Sequence, residues 1–134
     1  MTNLQALELP NFARRFRFAG GRILRLRQRY RKGGLDVEVV LRVVPAIKNL
    51  DDQPKPVRIR LHLTAVDELR IQKRPGGAPG RLPDAHFGYF QGQFFVALDA
   101  WSLVSGERPG VHDFRAADIY FACRDVSWEL VEKK

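Results

Sequence analysis

Residues 22–44 read RILRLRQRYRKGGLDVEVVLRVV, and the fold follows from how this stretch is paired with itself. With Gly33-Gly34 as a two-residue turn, both central residues take the positive φ that glycine accepts, as a primed hairpin turn requires. Lys32 then faces Leu35, Arg31 faces Asp36, Arg29 faces Glu38, Arg27 faces Val40 and Arg25 faces Arg42. On the other face Tyr30 meets Val37, Gln28 meets Val39, Leu26 meets Leu41 and Leu24 meets Val43. One face of this hairpin is apolar and the other charged. A slip of one residue turns Leu24, Leu26 and Tyr30 to water, so burial and turn chemistry select the same register.

Working toward the N-terminus, Arg15-Phe16-Arg17-Phe18 alternates strictly and predicts a short strand with both phenylalanines buried, which Gly20-Gly21 then turns into the hairpin. Residues 1–11 read as a tail or an edge segment, with at most one helical turn before Pro10. Toward the C-terminus, Pro45 to Pro56 carries three prolines and Asp51-Asp52 and reads as a surface loop. Val57 to Leu63 alternates without a fault and sets Arg58, Arg60 and His62 on one wet face. Ala65 to Glu68 turns or bulges, and Leu69 to Lys73 returns with Leu69 and Ile71 inward.

Lys73 to Pro83 is rich in proline and glycine and reads as an exposed loop. It lacks the spacing of a phosphate-binding loop, in which two glycines bracket four residues before Lys and Ser/Thr. Gln91-Gly92 punctuates two aromatic runs and predicts a second tight hairpin. It pairs Phe90 with Gln93, Tyr89 with Phe94, Phe87 with Val96 and Ala85 with Leu98, and both of its faces are apolar enough to be covered. Asp99 is placed to cap a single turn over Ala100 to Leu103, and Ser105 to Asp113 reads as a loop. Asp118 to Cys123 and Asp125 to Val131 are strands with a change of parity near Arg124. Ile119, Phe121 and Cys123 point inward on the first, and Val126, Trp128 and Leu130 on the second.

About eight strands joined by tight turns, with no βαβ alternation and no internal repeat, specify an all-β fold: an antiparallel β-sandwich or half-open barrel built from consecutive hairpins. At 134 residues and 45% hydrophobic, residues 1–134 form a single β domain with one core. No apolar run reaches the roughly 20 residues that span a bilayer, and Met1-Thr2-Asn3-Leu4 lacks the basic and apolar regions of a signal peptide. Cys123 stands alone, which excludes an intramolecular disulfide and a Cys-rich metal site and fits a reducing compartment. The expected location is cytoplasmic, with no membrane partner and no cofactor.

Net charge is +8, and residues 1–32 carry all of it, with nine Lys/Arg against Glu8 alone. Residues 33–134 hold fourteen basic and fourteen acidic side chains. Such asymmetry points to a partner for the N-terminal third, either an acidic protein surface or nucleic acid, against the plainer reading of a solvated strand face. The candidate binding residues are Arg14, Arg15, Arg17, Arg25, Arg27, Arg58 and Arg60. Alternate arginines on one strand lie about 7 Å apart, a spacing that also follows a phosphate backbone, though exposed aromatics for base stacking are missing.

Catalytic constellations are weak beside this stripe. His62, His86 and His112 stand at no ligand spacing from one another, so no metal site is expected. His112-Asp113 lacks a Gly-x-Ser-x-Gly elbow to serve Ser102 or Ser105, and Asp84 and Asp99 at the open end of the second hairpin match strand-end caps as well as an acid–base pair. Cys123 alternates with Ile119 and Phe121 and reads as a small buried apolar group. The expectation is a non-enzymatic protein-interaction module, with a sequence-independent nucleic-acid binder as alternative and an unrecognised enzyme third.

An alternating strand followed by Val66-Asp67-Glu68-Leu69-Arg70-Ile71 resembles the middle of the immunity protein 50 family of bacterial polymorphic-toxin systems. Asp118-Ile119-Tyr120-Phe121-Ala122 followed by Val126-Ser127-Trp128 is similar to the way those domains finish. The resemblance covers roughly half the chain and implies a small β-rich domain that binds a partner protein. It transfers no functional residue, and the basic N-terminal third departs from the acidic character of an inhibitor that faces a nuclease.

Overall fold

A computed structural model describes residues 2–46, 55–72, 81–82, 84–98 and 110–131. Alternation along the chain yields ten strands among these residues: β1 (Thr2–Asn3), β2 (Phe16–Arg31), β3 (Gly34–Pro45), β4 (Val57–Thr64), β5 (Glu68–Ile71), β6 (Arg81–Leu82), β7 (His86–Phe90), β8 (Gln93–Ala97), β9 (Ile119–Cys123) and β10 (Asp125–Val131). Two short helices accompany them, α1 (Leu9–Arg15) and α2 (Val111–Arg115). The strands form two antiparallel sheets, one in the order β1-β10-β4-β3-β2-β6 and the other β5-β9-β8-β7. These sheets make a β-sandwich that does not close into a barrel. No helix among the described residues is long and apolar enough to cross a membrane.

The odd residues of β3 and β4, Val37 to Val43 and Ile59 to Leu63, bury one face of the large sheet against Phe94, Val96, Phe121 and Cys123 of the small one. The small sheet is covered again on its far face, where Phe95, Ala97, Tyr120 and Ala122 pack under Phe114 and Ala117. Val111 to Asp113 was expected in a loop, yet Asp113 Oδ2 accepts the Gly110 N–H at 2.7 Å and caps α2, which drives Phe114 into this second core. Every residue of β8 after Gln93 is buried, as a hairpin covered on both sides requires.

The hairpin of residues 85–98 has the expected register, Phe90 opposite Gln93 through His86 opposite Ala97. Its turn residues Gln91 and Gly92 both have positive φ, 53° and 81°. In the first hairpin the turn falls instead on Lys32-Gly33. Arg31 pairs with Gly34, Tyr30 with Leu35, Arg29 with Asp36, Arg27 with Glu38, Leu26 with Val39 and Arg25 with Val40. Only Gly33 is left-handed there, φ +100°, so this turn needs one glycine where the primed turn would use two. Moving the turn by one residue preserves which side chains share a face, so the expected charged and apolar faces survive with new cross-strand partners.

Gly20-Gly21 do not reverse the chain. They bend a continuous β2, with register shifts between Arg17 and Arg22 and again between Ile23 and Arg25. The second bulge turns Ile23 toward the core and leaves Leu24, expected inside, 43% exposed. Tyr30 is 78% exposed because the hairpin end outruns the small sheet's cover, and Leu130 at the far end of β10 is exposed as well.

The first residues lay β1 as an edge strand beside β10, and Leu4 N–H bonds Val126 O at 2.8 Å. Pro10 in its first turn and Arg14 and Arg15 in its last suit α1 to the helix dipole, so Arg15 ends a helix and does not begin the predicted strand. Leu9 and Phe12 are buried, and the Phe12 ring lies 5.2–6.0 Å from those of Phe16, Phe18, Phe87 and Trp128. β5 pairs with β9 and leaves the sheet of β4, so Leu69 to Ile71 cross between layers; Ile71 at its end is exposed. Arg81 and Leu82, expected in a loop, add a short strand to β2. Ala100 to Leu103 lie outside the described residues.

Candidate functional site

The even residues of β3 and β4 face outward from the sandwich, and reading the ladder across strands places them in rows. Arg29 lies opposite Asp36, and Thr64 opposite Asp125; Arg27, Glu38, His62 and Ser127 form a row; then Arg25, Val40, Arg60 and Glu129; then Arg22, Arg42 and Arg58. Adjacent Cβ atoms in such a row lie about 4.5–5.5 Å apart, so the last row sets three guanidinium stems side by side. Val40 is only 9% exposed on this wet face, an effect of the long side chains of Arg25 and Arg60 that flank it.

A glycine makes the arginine row possible. A Cβ on Gly21 would stand 2.5 Å from the Arg42 carbonyl oxygen and 3.0 Å from that of Phe18, so only glycine lets β2 press against β3 at the bulge that puts Arg22 opposite Arg42. Arg81 pairs with Arg22 from the other side in the backbone register.

Asp36, Glu38 and Glu129 on this face are engaged by other cations. Asp36, buried, takes Arg31 Nε at 2.6 Å and Arg31 Nη2 at 3.0 Å, and accepts the Ala65 N–H at 3.2 Å; His62 Nε2 stands 3.6 Å away. That carboxylate also steadies the turn after β4, where Ala65 sits at φ +56°. Arg60 lies between Glu38 (Nε–Oε1 3.3 Å) and Glu129 (Nη1–Oε1 2.6 Å), and its buried Nε lacks the alignment of a hydrogen bond. Arg27 and Arg29 therefore stand directly opposite carboxylates that bind elsewhere. Among the described residues, Arg17, Arg22, Arg25, Arg27, Arg29, Arg42 and Arg58 form no ion pair.

Of the residues singled out in the sequence, Arg17, Arg25, Arg27, Arg58 and Arg60 do share this outer face, with Arg60 neutralised. Arg14 and Arg15 lie on α1, and the Arg15 guanidinium stands 4.9 Å from the Trp128 ring centroid. Arg22, Arg29 and Arg42 complete the face. Sequence reasoning set Arg42 opposite Arg25 but kept Arg22 and Arg42 out of the binding set, and left out Arg29 because Glu38 was its expected partner.

Among the described residues the catalytic candidates do not assemble. His86 Nε2 is 3.8 Å from Asp84 Oδ2, while Asp84 Oδ1 caps the Ala85 N–H at 2.8 Å. His112 is 88% exposed and 3.5 Å from its neighbour Asp113, which is occupied in capping α2. Ser102, Ser105 and Asp99 lie outside the described residues. Burial pushes the Cys123 thiol up to about 12, which removes the thiolate needed for nucleophilic chemistry. Among the described residues no group of three or more His, Cys, Asp or Glu is placed to hold a metal. A cleft of about 550 Å³ opens beside Leu4, Tyr89 and Phe94, and the charged groups on its wall are Arg124 and Asp125, one of each sign.

One further charged cluster ties the layers together. Arg115 on α2 bonds both Glu68 carboxylate oxygens at 3.0 Å, and Tyr120 OH approaches Glu68 Oε1 at 3.4 Å. The hydrogen bond from Arg115 holds the Glu68 carboxyl below its ordinary range, and burial raises the Tyr120 phenol. This is a clasp between α2 and the β5–β9 edge.

No family model, curated protein or solved structure matches the chain.

Proposed function

We propose that the chain is a non-enzymatic interaction module that takes an acidic protein partner on the outer face of its larger sheet; the resemblance to the immunity protein 50 family implies a protein partner but not its charge. The carrying observation is the row Arg22, Arg42 and Arg58, three arginines abreast on neighbouring strands, none of which pairs with a carboxylate among the described residues. Like charges directly opposite each other weaken a ladder, so the row opposes folding and gains its compensation from an anionic surface brought against it. Arginine suits that task, since its planar fork meets carboxylates two oxygens at a time.

The reading is tested by copurification from the native host, comparing wild type with the double variant Arg42→Glu, Arg58→Glu. A stoichiometric acidic protein should accompany the wild type and be lost with the variant while the melting midpoint does not fall. Repeated recovery of the wild-type chain alone overturns it.

Seven arginines without an ion pair on one face also favour a second reading, sequence-independent binding of nucleic acid. Contact with roughly four phosphates would make log affinity fall against log salt with a slope of about −3 to −4. Among the described residues the exposed aromatics Tyr30 and Tyr89 lie off this face and do not supply the stacking that strengthens single-strand binders. A salt titration with a mixed-sequence oligonucleotide decides between the two partners.

A further inference from the structure

We propose that the open edge of β2 receives an extended, acidic segment of the partner as an added strand; this rests on the reading of the outer face above and specifies the form in which the partner binds. β6 pairs only with Gly21 and Arg22, so from Ile23 to Arg31 no strand lies along the side of β2 away from β3 among the described residues. A row of unpaired backbone donors and acceptors on so long an edge is a template for another chain.

The phase of that edge can be worked out. In a hairpin closed by a two-residue turn, the pair flanking the turn exchanges both backbone hydrogen bonds, and bonded pairs then alternate with unbonded ones. Arg31/Gly34, Arg29/Asp36, Arg27/Glu38 and Arg25/Val40 are the bonded pairs. The Leu35 carbonyl agrees, since it accepts the Val66 N–H at 2.8 Å on the side away from β2. Its cross-strand partner Tyr30, and with it Gln28 and Leu26, must direct N–H and C=O outward. Both register shifts lie before Arg25, so this stretch of the edge is straight.

The side chains define the occupant. A strand laid along this edge sets alternate residues beside Arg25, Arg27 and Arg29, which have no ion pair among the described residues, and the intervening ones beside half-buried Leu26 and exposed Tyr30. The complement is Asp or Glu alternating with apolar residues. A second copy of β2 would instead set arginine against arginine, which keeps the edge from pairing with itself.

The test is fluorescence anisotropy with a short labelled peptide that alternates Glu and Val, a peptide of the same composition with Glu and Val in separate blocks, and a mixed-sequence oligonucleotide as competitor. The alternating peptide should bind roughly ten-fold more tightly than the blocked one. Methylating its alternate backbone nitrogens in the edge-facing phase should remove that advantage, and methylating the other set should not. Gln28→Pro should remove it too, because the missing N–H serves no internal ladder bond and proline is tolerated on an open edge.

Equal binding of the two peptides, with Arg27→Glu still abolishing both, overturns strand addition and leaves the basic-face reading standing. Peptide binding that is unmoved by Arg27→Glu and by the Arg42→Glu, Arg58→Glu pair removes the basic face and leaves the edge. No peptide binding at all, or displacement of the peptide by the oligonucleotide at lower concentration, overturns the acidic segment as occupant.

Discussion

The two long hairpins of this molecule obey different constraints. The β7–β8 hairpin is packed on both faces, under the large sheet on one side and Phe114 on the other, and its turn holds Gln91 and Gly92 both at positive φ. The β2–β3 hairpin is packed on one face along part of its length, is bulged twice, and ends in a turn with one left-handed glycine. Cover on both faces leaves the β7–β8 hairpin no wet face to offer a partner, although β7 is itself an edge strand. Cover on one face leaves the β2–β3 hairpin a wet side, and there the arginines gather.

The largest effect that bears on this contrast comes from the lid of the second hairpin. Phe114 is fully buried, with its ring 5.8 Å from those of Phe90 and Phe95. Phe114→Ala should destabilise by about 3–5 kcal/mol in a urea melt. A loss below about 1 kcal/mol would mean that β7–β8 is covered on one side only, and the contrast would dissolve.

Next comes the buried face of the first hairpin. Leu41 is fully enclosed, opposite Ile23 and Ile59. Leu41→Ala should cost about 2–5 kcal/mol. Arg27→Ala, on the other face of the same hairpin with no ion pair, should stay within about 0.5 kcal/mol and alter partner binding instead. If the two substitutions destabilise equally, the face assignment is wrong.

The clasp at the small sheet sharpens the comparison through pH. The Glu68 carboxyl is held below its ordinary range in the folded chain, so its contribution is present above the unfolded carboxylate pKa and is lost as pH falls through the folded value. Glu68→Gln should therefore lower the melting midpoint at neutral pH by a small amount and make no difference in acid below the carboxylate range. A difference that persists or grows in acid would show that Glu68 acts through packing and not through charge.

How much of this was legible beforehand follows from the same physics. Strict alternation over Val57 to Leu63 and the aromatic runs around Gln91-Gly92 announced their strands, because period two and a left-handed turn are local properties. The register of residues 85–98 was readable for that reason. The helix at Leu9–Arg15 was hidden by Arg15-Phe16-Arg17-Phe18, whose alternation runs across the helix–strand boundary. Nothing local signals that β5 leaves the sheet of β4, since the residues after Ala65 are apolar enough for either layer. The arginine row was hidden because adjacent glycines at 20–21 signal a turn as strongly as a bulge, and only the close approach of the Arg42 carbonyl to Gly21 tells them apart.

The smallest effect separates the two turn placements of the first hairpin. Were the turn at Gly33-Gly34, both glycines would need left-handed φ, and alanine at either would cost about 1–2 kcal/mol. With the turn at Lys32-Gly33, Gly33 alone carries φ +100°, and Gly34 pairs with Arg31 as the first residue of β3. A Cβ on Gly34 meets nothing within 4 Å. Gly33→Ala should therefore be destabilising by about 1–2 kcal/mol, and Gly34→Ala neutral or stabilising by up to roughly 0.4–1 kcal/mol through the reduced freedom of the unfolded chain. Equal losses at both positions in chemical melts would restore the two-glycine turn. That result would move Arg31 back opposite Asp36 and Arg25 opposite Arg42, reverse the phase of hydrogen bonds along β2, and take Gln28 off the open edge on which strand addition depends.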